Sequence, residues 1–475
     1  MEKKVAALAV VQCLATAIYY IYKVEDREKE AEYNDWRQLY SRWNRSCITT
    51  IVAMKLEKTK HETSSDSGTD IQLSHDDYYI QSPISTLPVE CLIPIFSLLP
   101  IADRVRIQRV CKRWQSISLE SWFSLKTLTF YEEVWGYKYW LGRGIDLTVL
   151  EKVLKLCGSY LTRIDFSTHY RKPRADFIET FRADKNLFAI IRNYCPNLVA
   201  IDIRNLKLTS EGIEYLGRSY STLSEFAIEG YEEAYCSRFR SALNRFINLR
   251  ILSIDDWCEN YDWFYNGNND VSYINEMLEA IEPHSEKLIE LEIGTMNDYP
   301  VLIHAEIFNC FSNLQKLSLD GYTLKIDFWT ITKYCTQLTC VKLIRLRVTE
   351  VQIASIMQLP KLQELYLSYL RKITDVIFTN HMSSLKIFDC LRCIRLTNIG
   401  IRSLLQNSSE NLQSLTIRHC KKINLKNLIE DAKKVTATRS TGPLLKLLLK
   451  KNGKYSFEKV TKLSKYLELT EYVRK

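Results

Sequence analysis

The sequence lacks the local motifs that mark most enzyme active sites. It contains no G-x-S-x-G stretch and, with only 14 glycines in 475 residues, no glycine-rich phosphate-binding loop. The seven histidines are scattered, and none has a second ligand at metal-binding spacing. These absences predict a binding protein that has no catalytic residues, no metal and no cofactor.

Long apolar runs and a uniform charge excess are also missing. Hydrophobic residues make up 46% of the chain and charged residues 25%, which is typical of a globular protein and not of a disordered or multi-span membrane protein. The net charge of +9 is concentrated near the carboxyl end, where residues 421–475 hold 15 Lys or Arg against 5 Asp or Glu. Residues 1–420 carry about −1, so a general affinity for nucleic acid is not predicted.

Residues 1–22 contain the one apolar run that resembles a targeting signal. Two lysines precede it, and Ala15-Thr16-Ala17 has the pattern of a cleavage site, so a signal peptide fits. A tilted membrane anchor and an ordinary or interfacial helix fit as well, because Gln12, Thr16 and three tyrosines lower the hydrophobicity. The expected location is the cytoplasm or nucleus, with secretion or membrane anchoring through residues 1–22 as the alternative.

The next two segments differ in composition. Residues 23–54 are charged but carry Trp36, Leu39, Tyr40 and Trp43, a spacing that predicts an amphipathic helix. Residues 55–82 are polar and poor in aliphatic side chains, which predicts a flexible linker.

Residues 83–124 are rich in apolar side chains and predict three short helices. Pro88 suits the first turn of a helix, Pro94 threatens to kink it, Pro100 ends it, and Asp103 is a good N-cap for the next. So many apolar residues in about forty positions exceed what so small a unit buries by itself, so part of this surface is predicted to bind a partner helix.

This segment resembles the F-box family. The resemblance rests on a Leu-Pro pair, a Val-Cys-x-x-Trp motif and a trailing Trp, in register at Leu87, Pro88, Glu90, Ile95, Phe96, Leu99, Asp103, Arg104, Val110, Cys111, Trp114 and Trp122. It implies binding of a Skp-family adaptor, and through it a cullin-RING scaffold. The implied adaptor contacts are Leu87, Pro88, Ile95, Phe96, Leu99, Val110, Cys111 and Trp114.

Residues 125–430 repeat the unit L-x-x-L-x-L about eleven times. The opening leucines are Leu125, Leu161, Leu198, Leu223, Leu249, Leu288, Leu314, Leu338, Leu362, Leu385 and Leu412. Most spacings are close to the leucine-rich-repeat period of about 20–29 residues. The alternation predicts a short strand in each unit, and the apolar segments between predict helices. The expected fold class is therefore α/β, with a small all-α three-helix unit followed by a leucine-rich-repeat horseshoe solenoid that has a concave parallel sheet.

The later repeats resemble the cysteine-containing leucine-rich repeats of F-box proteins. The pattern is Leu412-x-x-Leu415-x-Ile417-x-x-Cys420-x-x-Ile423. It also accounts for Cys390 and Cys393, whose C-x-x-C spacing is that of zinc and redox sites, as small buried repeat residues. The other cysteines are interpreted likewise, which favours a reducing compartment.

Together the two resemblances imply the substrate-recognition subunit of an SCF-type ubiquitin ligase, a non-enzymatic receptor whose repeats bind a protein substrate. The alternative is a secreted or membrane-tethered leucine-rich-repeat protein that keeps an F-box-like fold without ligase partners.

The residues that alternate with the leucines predict an acidic surface for the substrate. The candidates on these strands are Asp202, Glu225, Glu229, Asp255, Glu290, Glu292 and Asp320. This surface is interpreted either as a solvated charged face or as a groove for a basic segment of the substrate. Aromatic residues in the overlong repeats, among them Trp135, Trp257 and Trp263, are candidate anchors.

Residues 431–475 depart from the repeat pattern. Their basic, leucine-rich sequence predicts a pair of helices that caps the last repeat, with a membrane or nucleic-acid contact as the lesser alternative.

Overall fold

The computed structural model describes two compact units, one that ends at Ser124 and one that begins at Leu125. The described residues are 87–136, 145–167, 182–229, 237–256, 273–295, 300–379, 382, 384–439, 442–450 and 457–473. The predictions for residues 1–22, 23–54 and 55–82 lie outside these ranges. Among the helices that are described, none combines the length and the apolar character needed to cross a bilayer.

The first unit contains three helices, as predicted. They are α1 (Val89–Ser97), α2 (Ile101–Ile107) and α3 (Lys112–Ser121), followed by a 3-10 turn at Trp122–Ser124. Helix α1 continues through Pro94. Helix α2 begins directly after Pro100, so the prediction that Asp103 caps it is wrong; Asp103 instead accepts a 2.7 Å hydrogen bond from Arg106. Cys111 caps α3, because its sulfur accepts the Trp114 N–H.

The core of this unit is small. Leu92, Phe96 and Ile117 are buried at its centre, and half-buried apolar residues from all three helices pack around them. Elsewhere in this unit, the guanidinium of Arg104 lies 4.8 Å from the centre of the buried Trp122 ring. Arg104 also donates to the carbonyl oxygens of Ser97 and Leu99, so its side chain links the segment between α1 and α2 to Trp122.

The second unit alternates strands and helices. Its strands are β1 (Thr127–Thr129), β2 (Arg163–Asp165), β3 (Arg182–Ala183), β4 (Ala200–Asp202), β5 (Lys207–Leu208), β6 (Glu225–Glu229), β7 (Ile251–Asp256), β8 (Glu290–Thr295), β9 (Val301–Leu302), β10 (Lys316–Asp320), β11 (Leu324–Lys325), β12 (Cys340–Ile344), β13 (Glu364–Ser368), β14 (Ile387–Leu391), β15 (Ser414–Arg418), β16 (Leu445–Lys450), β17 (Phe457–Ser464) and β18 (Leu467–Val473).

Helices connect most of these strands. They are α4 (Glu132–Trp135), α5 (Leu147–Cys157), α6 (Lys185–Tyr194), α7 (Ser210–Ser219), α8 (Ser237–Leu243), α9 (Tyr273–Ile281), α10 (Phe328–Tyr334), α11 (Glu350–Met357), α12 (Asn398–Asn407) and α13 (Leu425–Ala437). Short 3-10 helices directly follow α5 and α9 at Gly158–Tyr160 and Glu282–Lys287, and they replace an α-helix at Ala305–Cys310 and Asp375–Phe378.

Fourteen strands form one sheet in the order β1-β2-β4-β6-β7-β8-β10-β12-β13-β14-β15-β16-β18-β17. Each of the eleven predicted opening leucines lies two residues before a strand of this sheet. All except Leu125 are at most 3% exposed, because each packs between the sheet and the helices. The repeat prediction is therefore confirmed: a leucine ladder buries itself against the next repeat, and each helix returns the chain to start a parallel strand.

Four consecutive strands end in the same strained turn. Arg345, Tyr369, Arg392 and His419 directly follow β12, β13, β14 and β15, and all have φ between 53° and 57°. The N–H of Arg345 donates to the carbonyl oxygen of Ser368 at the end of the next strand, and Tyr369 and Arg392 repeat this bond. These bonds hold non-glycine residues in the left-handed region, so the corner of each repeat has the same shape.

The prediction of a capping helix pair at the carboxyl end is wrong. After α13, the chain forms β16, β17 and β18, which extend the main sheet; β16 and β18 are parallel, and β17 and β18 are antiparallel. Leu445, Leu447 and Leu449 alternate inward along β16 and are at most 2% exposed. The open edge of β15 offers unpaired backbone groups, so the leucine-rich segment completes that edge as a strand.

Candidate functional site

The predicted adaptor surface divides into exposed and buried residues. Val110 is 46% exposed, and Pro88 and Cys111 are exposed as well. Leu87, Ile95, Leu99 and Trp114 are half-buried, with one side of each packed on the core. Phe96 is only 2% exposed and lies 5.1 Å from the Trp114 ring, so it belongs to the core and not to a contact surface.

Sequence reasoning missed three apolar side chains of this unit that are open to solvent. Leu98, Leu119 and Phe123 are 39%, 45% and 50% exposed. The central cluster of this unit holds only three buried side chains, and exposed apolar side chains around so small a cluster are a usual sign of a protein-binding surface. The spacing of these residues from the core residues was the only sequence signal for this surface. Spacing alone does not tell which face of a helix remains exposed to solvent.

On the second unit, the predicted acidic residues lie on neighbouring parallel strands. Glu225 pairs in register with Ile251 of β7, which pairs with Glu290 of β8. Most of these carboxylates lie at half-buried positions of the sheet face. Asp202 is the exception, because it is completely buried and cannot contact a substrate.

The structure pairs most of these acids with bases of the same chain. Arg204 donates to both Asp202 and Asp255, at 3.0 Å and 2.9 Å. The other ion pairs are Arg163 with Glu225, Lys316 with Glu290 and Arg345 with Asp320. Glu292 accepts a 3.0 Å hydrogen bond from Ser253, and Glu229 accepts the Asn205 N–H. The column is therefore a mixed-charge network more than an unopposed acidic groove.

Arg204 organises the centre of this network. Burial alone would lower its pKa, but the hydrogen bonds and charges of Asp202 and Asp255 outweigh burial and hold the pKa above its ordinary value. Asp165 on β2 pairs in register with Asp202 on β4. Burial and the Asp202 charge both disfavour the ionised form of Asp165 and so raise its pKa. A shallow depression lies beside Arg204, lined also by Arg163, Glu225 and Glu292.

A glycine makes room for the network. Gly294 lies in register between Asp255 on β7 and Asp320 on β10. A Cβ atom at this position would lie 2.1 Å from Oδ1 of Asp255. Any side chain would therefore displace the carboxylate that Arg204 holds.

The aromatic anchor candidates are not available as predicted. Trp135 is fully buried, stacks on Phe130 and donates Nε1–H to the carbonyl oxygen of Thr129 at 2.9 Å, so it is a core residue. Trp257 and Trp263 lie outside the described residues. An exposed tryptophan that the sequence did not single out is Trp329, at 60% exposure on α10.

The cysteines of the later repeats are buried. Cys390 and Cys393 are fully inaccessible, and the Cys390 sulfur lies 3.4 Å from that of Cys420 in the next repeat. Its contacts with Cys393 and Cys420, together with burial, raise the pKa of the Cys390 thiol. Over the ranges that the structure describes, no three His, Cys, Asp or Glu residues are grouped to hold a metal ion. Cys91 and Cys111, which lie in the three-helix unit and not in the repeats, are exposed.

Residues 84–126 match the family model described as F-box-like. The chain is 27% identical over 173 residues to the Caenorhabditis elegans protein named "Putative RNA-binding protein EEED8.10", a match that covers 35% of this chain and 22% of that protein. It is 26% identical over 147 residues to F-box/LRR-repeat protein 12 of Mus musculus, covering 30% of this chain and 40% of that protein. The chain thus matches less than half the length of either curated relative.

Solved structures that are similar to this chain include two with low sequence identity. The yeast complex of Rad7 and Elc1 has a chain with 13% identity and a TM-score of 0.41, covering 90% of this chain and 97% of its own. An internalin from Listeria monocytogenes has 15% identity and a TM-score of 0.34, covering 75% of this chain and 92% of its own. An F-box-like segment followed by leucine-rich repeats is the organisation of an F-box/leucine-rich-repeat protein, and this chain has it.

Proposed function

We propose that this chain is the substrate-recognition subunit of an SCF-type ubiquitin ligase. In this role the F-box-like unit holds a Skp-family adaptor and, through it, a cullin-RING scaffold, while the repeats hold a protein substrate. The observation that carries the proposal is the F-box-like segment at residues 84–126, which is followed directly by eleven leucine-rich repeats. The exposed apolar side chains of Leu98 and Val110 support it, because they are suited to burial by a partner.

The chain itself would carry out no chemistry. By holding substrate and scaffold in one complex, it raises the local concentration of substrate lysines near a ubiquitin-charged enzyme that other subunits supply. No cofactor, metal or nucleic acid has a part in this proposal.

The proposal places the protein in the cytoplasm or nucleus. Ten cysteines in the described residues are free thiols, which suits a reducing compartment. Cleavage after residues 1–22, or glycosylation in the secretory pathway, would instead favour the alternative of a secreted or membrane-tethered repeat protein without ligase partners.

The adaptor contact can be tested with changes that leave the core intact. Val110→Asp with Pro88→Ala alters two exposed positions, and Val460→Asp is the matched control, since Val460 is 58% exposed in the repeat unit. Each purified full-length variant is titrated with a Skp-family adaptor to measure its affinity, and the recovery of adaptor and cullin after co-expression is measured by affinity purification. Circular dichroism on each purified variant verifies that it is folded.

We expect the double variant to lose at least about tenfold in adaptor affinity, because apolar anchors at an interface are commonly worth about 2 kcal/mol or more. The control should bind as the wild type does. Undiminished binding by a folded double variant would refute the adaptor-binding role.

A further inference from the structure

The four most exposed large apolar side chains in the described part of the chain occupy one position in four consecutive repeats. Trp329, Val351, Val376 and Ile399 are 60%, 61%, 59% and 70% exposed. Each lies two residues after the N-cap of its helix, the N-caps being Asp327, Thr349, Thr374 and Thr397. We call these four side chains the apolar row. Singly exposed apolar residues need no explanation, but a regular row of them does.

A second row runs beside the first. An exposed Lys or Arg lies two residues before each of these N-caps. The same is true of the next N-cap along the chain, Asn424. This cationic row consists of Lys325, Arg347, Lys372, Arg395 and Lys422. None of the five side chains forms an ion pair with a described residue, in contrast to the bases of the sheet face.

The local charge is strongly positive. The four corner segments 345–349, 369–374, 392–397 and 419–424 contain eight Lys or Arg and no Asp or Glu, although Arg345 is paired with Asp320 and an acidic residue directly follows two of the segments. Over a longer range, residues 341–475 hold 26 Lys or Arg against 10 Asp or Glu, a net of +16, which leaves residues 1–340 at −7. The later repeats therefore attract anionic partners, whereas the earlier part of the chain repels them.

Hydrogen bonds between repeats fix the backbone that carries both rows from Val351 onward. Glu350, the residue after the Thr349 N-cap, accepts the N–H of Thr374, the next N-cap, at 3.0 Å. Asp375 accepts the N–H of Thr397 at 2.8 Å in the same way. Asn398 exchanges two bonds with Asn424, at 2.9 Å and 2.7 Å. Such a preformed surface loses little conformational entropy when a partner binds.

We infer that the two rows form a docking surface for a segment of a partner protein in which regularly spaced apolar residues alternate with acidic ones. The apolar side chains of the segment cover the apolar row, with Trp329 at one end beside a shallow notch lined by Asn309 and Tyr334. Its carboxylates face the cationic row. This surface is distinct from the strand positions of the proposed substrate face, so the inference does not depend on what the sheet binds.

Other partners fit the rows less well. Nucleic acid would stack bases on aromatic side chains, but three of the four members of the apolar row are aliphatic. The face of Tyr369, at the corner that follows β13, is already covered by Arg392, at 5.3 Å. An anionic membrane fits less well, because valine, which supplies two of the four members of the apolar row, is not a typical membrane-anchoring residue.

The test uses the full-length chain and a displayed library of short random peptides. Peptides enriched on the wild type are synthesised, and their affinities are measured by fluorescence anisotropy at low and high salt. One variant changes the cationic row, Arg347→Glu with Lys372→Glu, and its control makes the same change before strands β13 and β14, Lys361→Glu with Lys386→Glu. A second variant changes the apolar row, Val376→Ser with Ile399→Ser, and its control is Val460→Ser.

We expect the enriched peptides to be acidic with periodic apolar residues, and each row variant to weaken them at least about tenfold while the controls change affinity less than about twofold. Enrichment of basic or aperiodic peptides, no enrichment at all, or equal binding by variants and controls would overturn the inference. Vesicles containing phosphatidylserine and a single-stranded RNA are measured in parallel. If these bind through the rows while acidic peptides do not, the surface belongs to lipid or nucleic acid and the inference is wrong.

Discussion

Arg345 donates hydrogen bonds from Nε and Nη2 to the two carboxylate oxygens of Asp320, both at 2.6 Å. The pair joins neighbouring repeats, and both side chains are about one-fifth exposed. Asp320 was predicted from the sequence as part of an acidic substrate surface. Its partner follows the next strand, in the left-handed turn that ends it, so the charge of Asp320 is largely balanced within the protein.

The Arg345–Asp320 pair should stabilise the repeats. A double-mutant cycle with Arg345→Ala and Asp320→Ala should give a coupling free energy of about 1–2 kcal/mol in urea unfolding, because the bond is bidentate and partly buried. The Lys316–Glu290 pair, with a lysine that is more than half exposed, is the comparison and should couple by less than about 0.5 kcal/mol. Equal couplings would show that geometry and burial do not distinguish the two pairs.

The acidic residues of the sheet face remain candidates for steering a basic segment of the substrate. Glu290→Lys with Glu292→Lys should slow substrate capture at low salt, and the effect should shrink at high salt because the ions screen exposed charges. Adaptor binding should be unchanged. Glu286→Lys with Glu410→Lys makes the same charge change at exposed positions off these strands. If both pairs of changes slow capture equally, only the net charge matters, and if neither does, the sheet face is merely solvated.

A side chain at Gly294 should destabilise the repeats. Gly294→Ala would place a methyl group against the Asp255 carboxylate, which must then leave Arg204 or shift the strand, and we expect a loss of about 1–3 kcal/mol in the free energy of unfolding. Adding Asp255→Ala removes the clash, so the second change should cost less in this background than in the wild type. Full additivity in the cycle would contradict the steric explanation.

Asp165 should make stability depend on pH. Burial and the charge of the neighbouring Asp202 raise the pKa of Asp165 in the folded protein above its value in the unfolded chain. Ionised Asp165 therefore lowers the free energy of unfolding at pH values above the folded pKa, and this cost is absent below the unfolded pKa. Asp165→Asn should therefore stabilise the protein at neutral pH, by about 0.5–1 kcal/mol. The gain should disappear as the pH falls below about 4, where the carboxyl becomes protonated in the unfolded chain too. A gain that is constant from acid to neutral pH would contradict this account.

The thiols should differ sharply in reactivity. Burial raises the pKa of Cys195 and Cys335 to about 12, so little thiolate forms at neutral pH and reagents cannot reach it. Native alkylation followed by mass spectrometry should modify the exposed Cys91 and Cys111 first, and the buried cysteines only after unfolding. Rapid labelling of Cys335 in the native protein would contradict the burial of the repeat core.

The same preparations test the C-x-x-C pair. Cys393→Ala should lower the free energy of unfolding by about 1–2 kcal/mol, because it removes a buried sulfur from the repeat core. Elemental analysis should find no stoichiometric zinc in either protein. Zinc that is bound by the wild type and lost on this change would overturn the interpretation of Cys393 as a core residue.

The sequence by itself determined the leucine-rich repeats and the three-helix unit. A leucine such as Leu314 or Leu338 needs only its own strand and the next repeat to be buried, so its spacing along the chain already encodes the parallel sheet. The alternation at Leu445, Leu447 and Leu449 carried the same signal for β16. In a short basic segment this leucine pattern is compatible with a helix as well. Only pairing with the open edge of β15 determined that the segment forms a strand.

Only the tertiary structure decided which charged side chains form ion pairs and which apolar side chains are exposed to solvent. Arg204 reaches Asp255 across 51 positions of sequence, a pairing that no local pattern encodes. Burial placed Phe96 and Trp135 in cores, although their residue types suggested contact surfaces. The exposure of Val376 and Lys372 likewise depends on the folded repeats, because sequence spacing does not tell which positions remain uncovered. Local periodicity reflects burial against neighbouring repeats, whereas charge pairing and exposure depend on distances that only the folded chain sets.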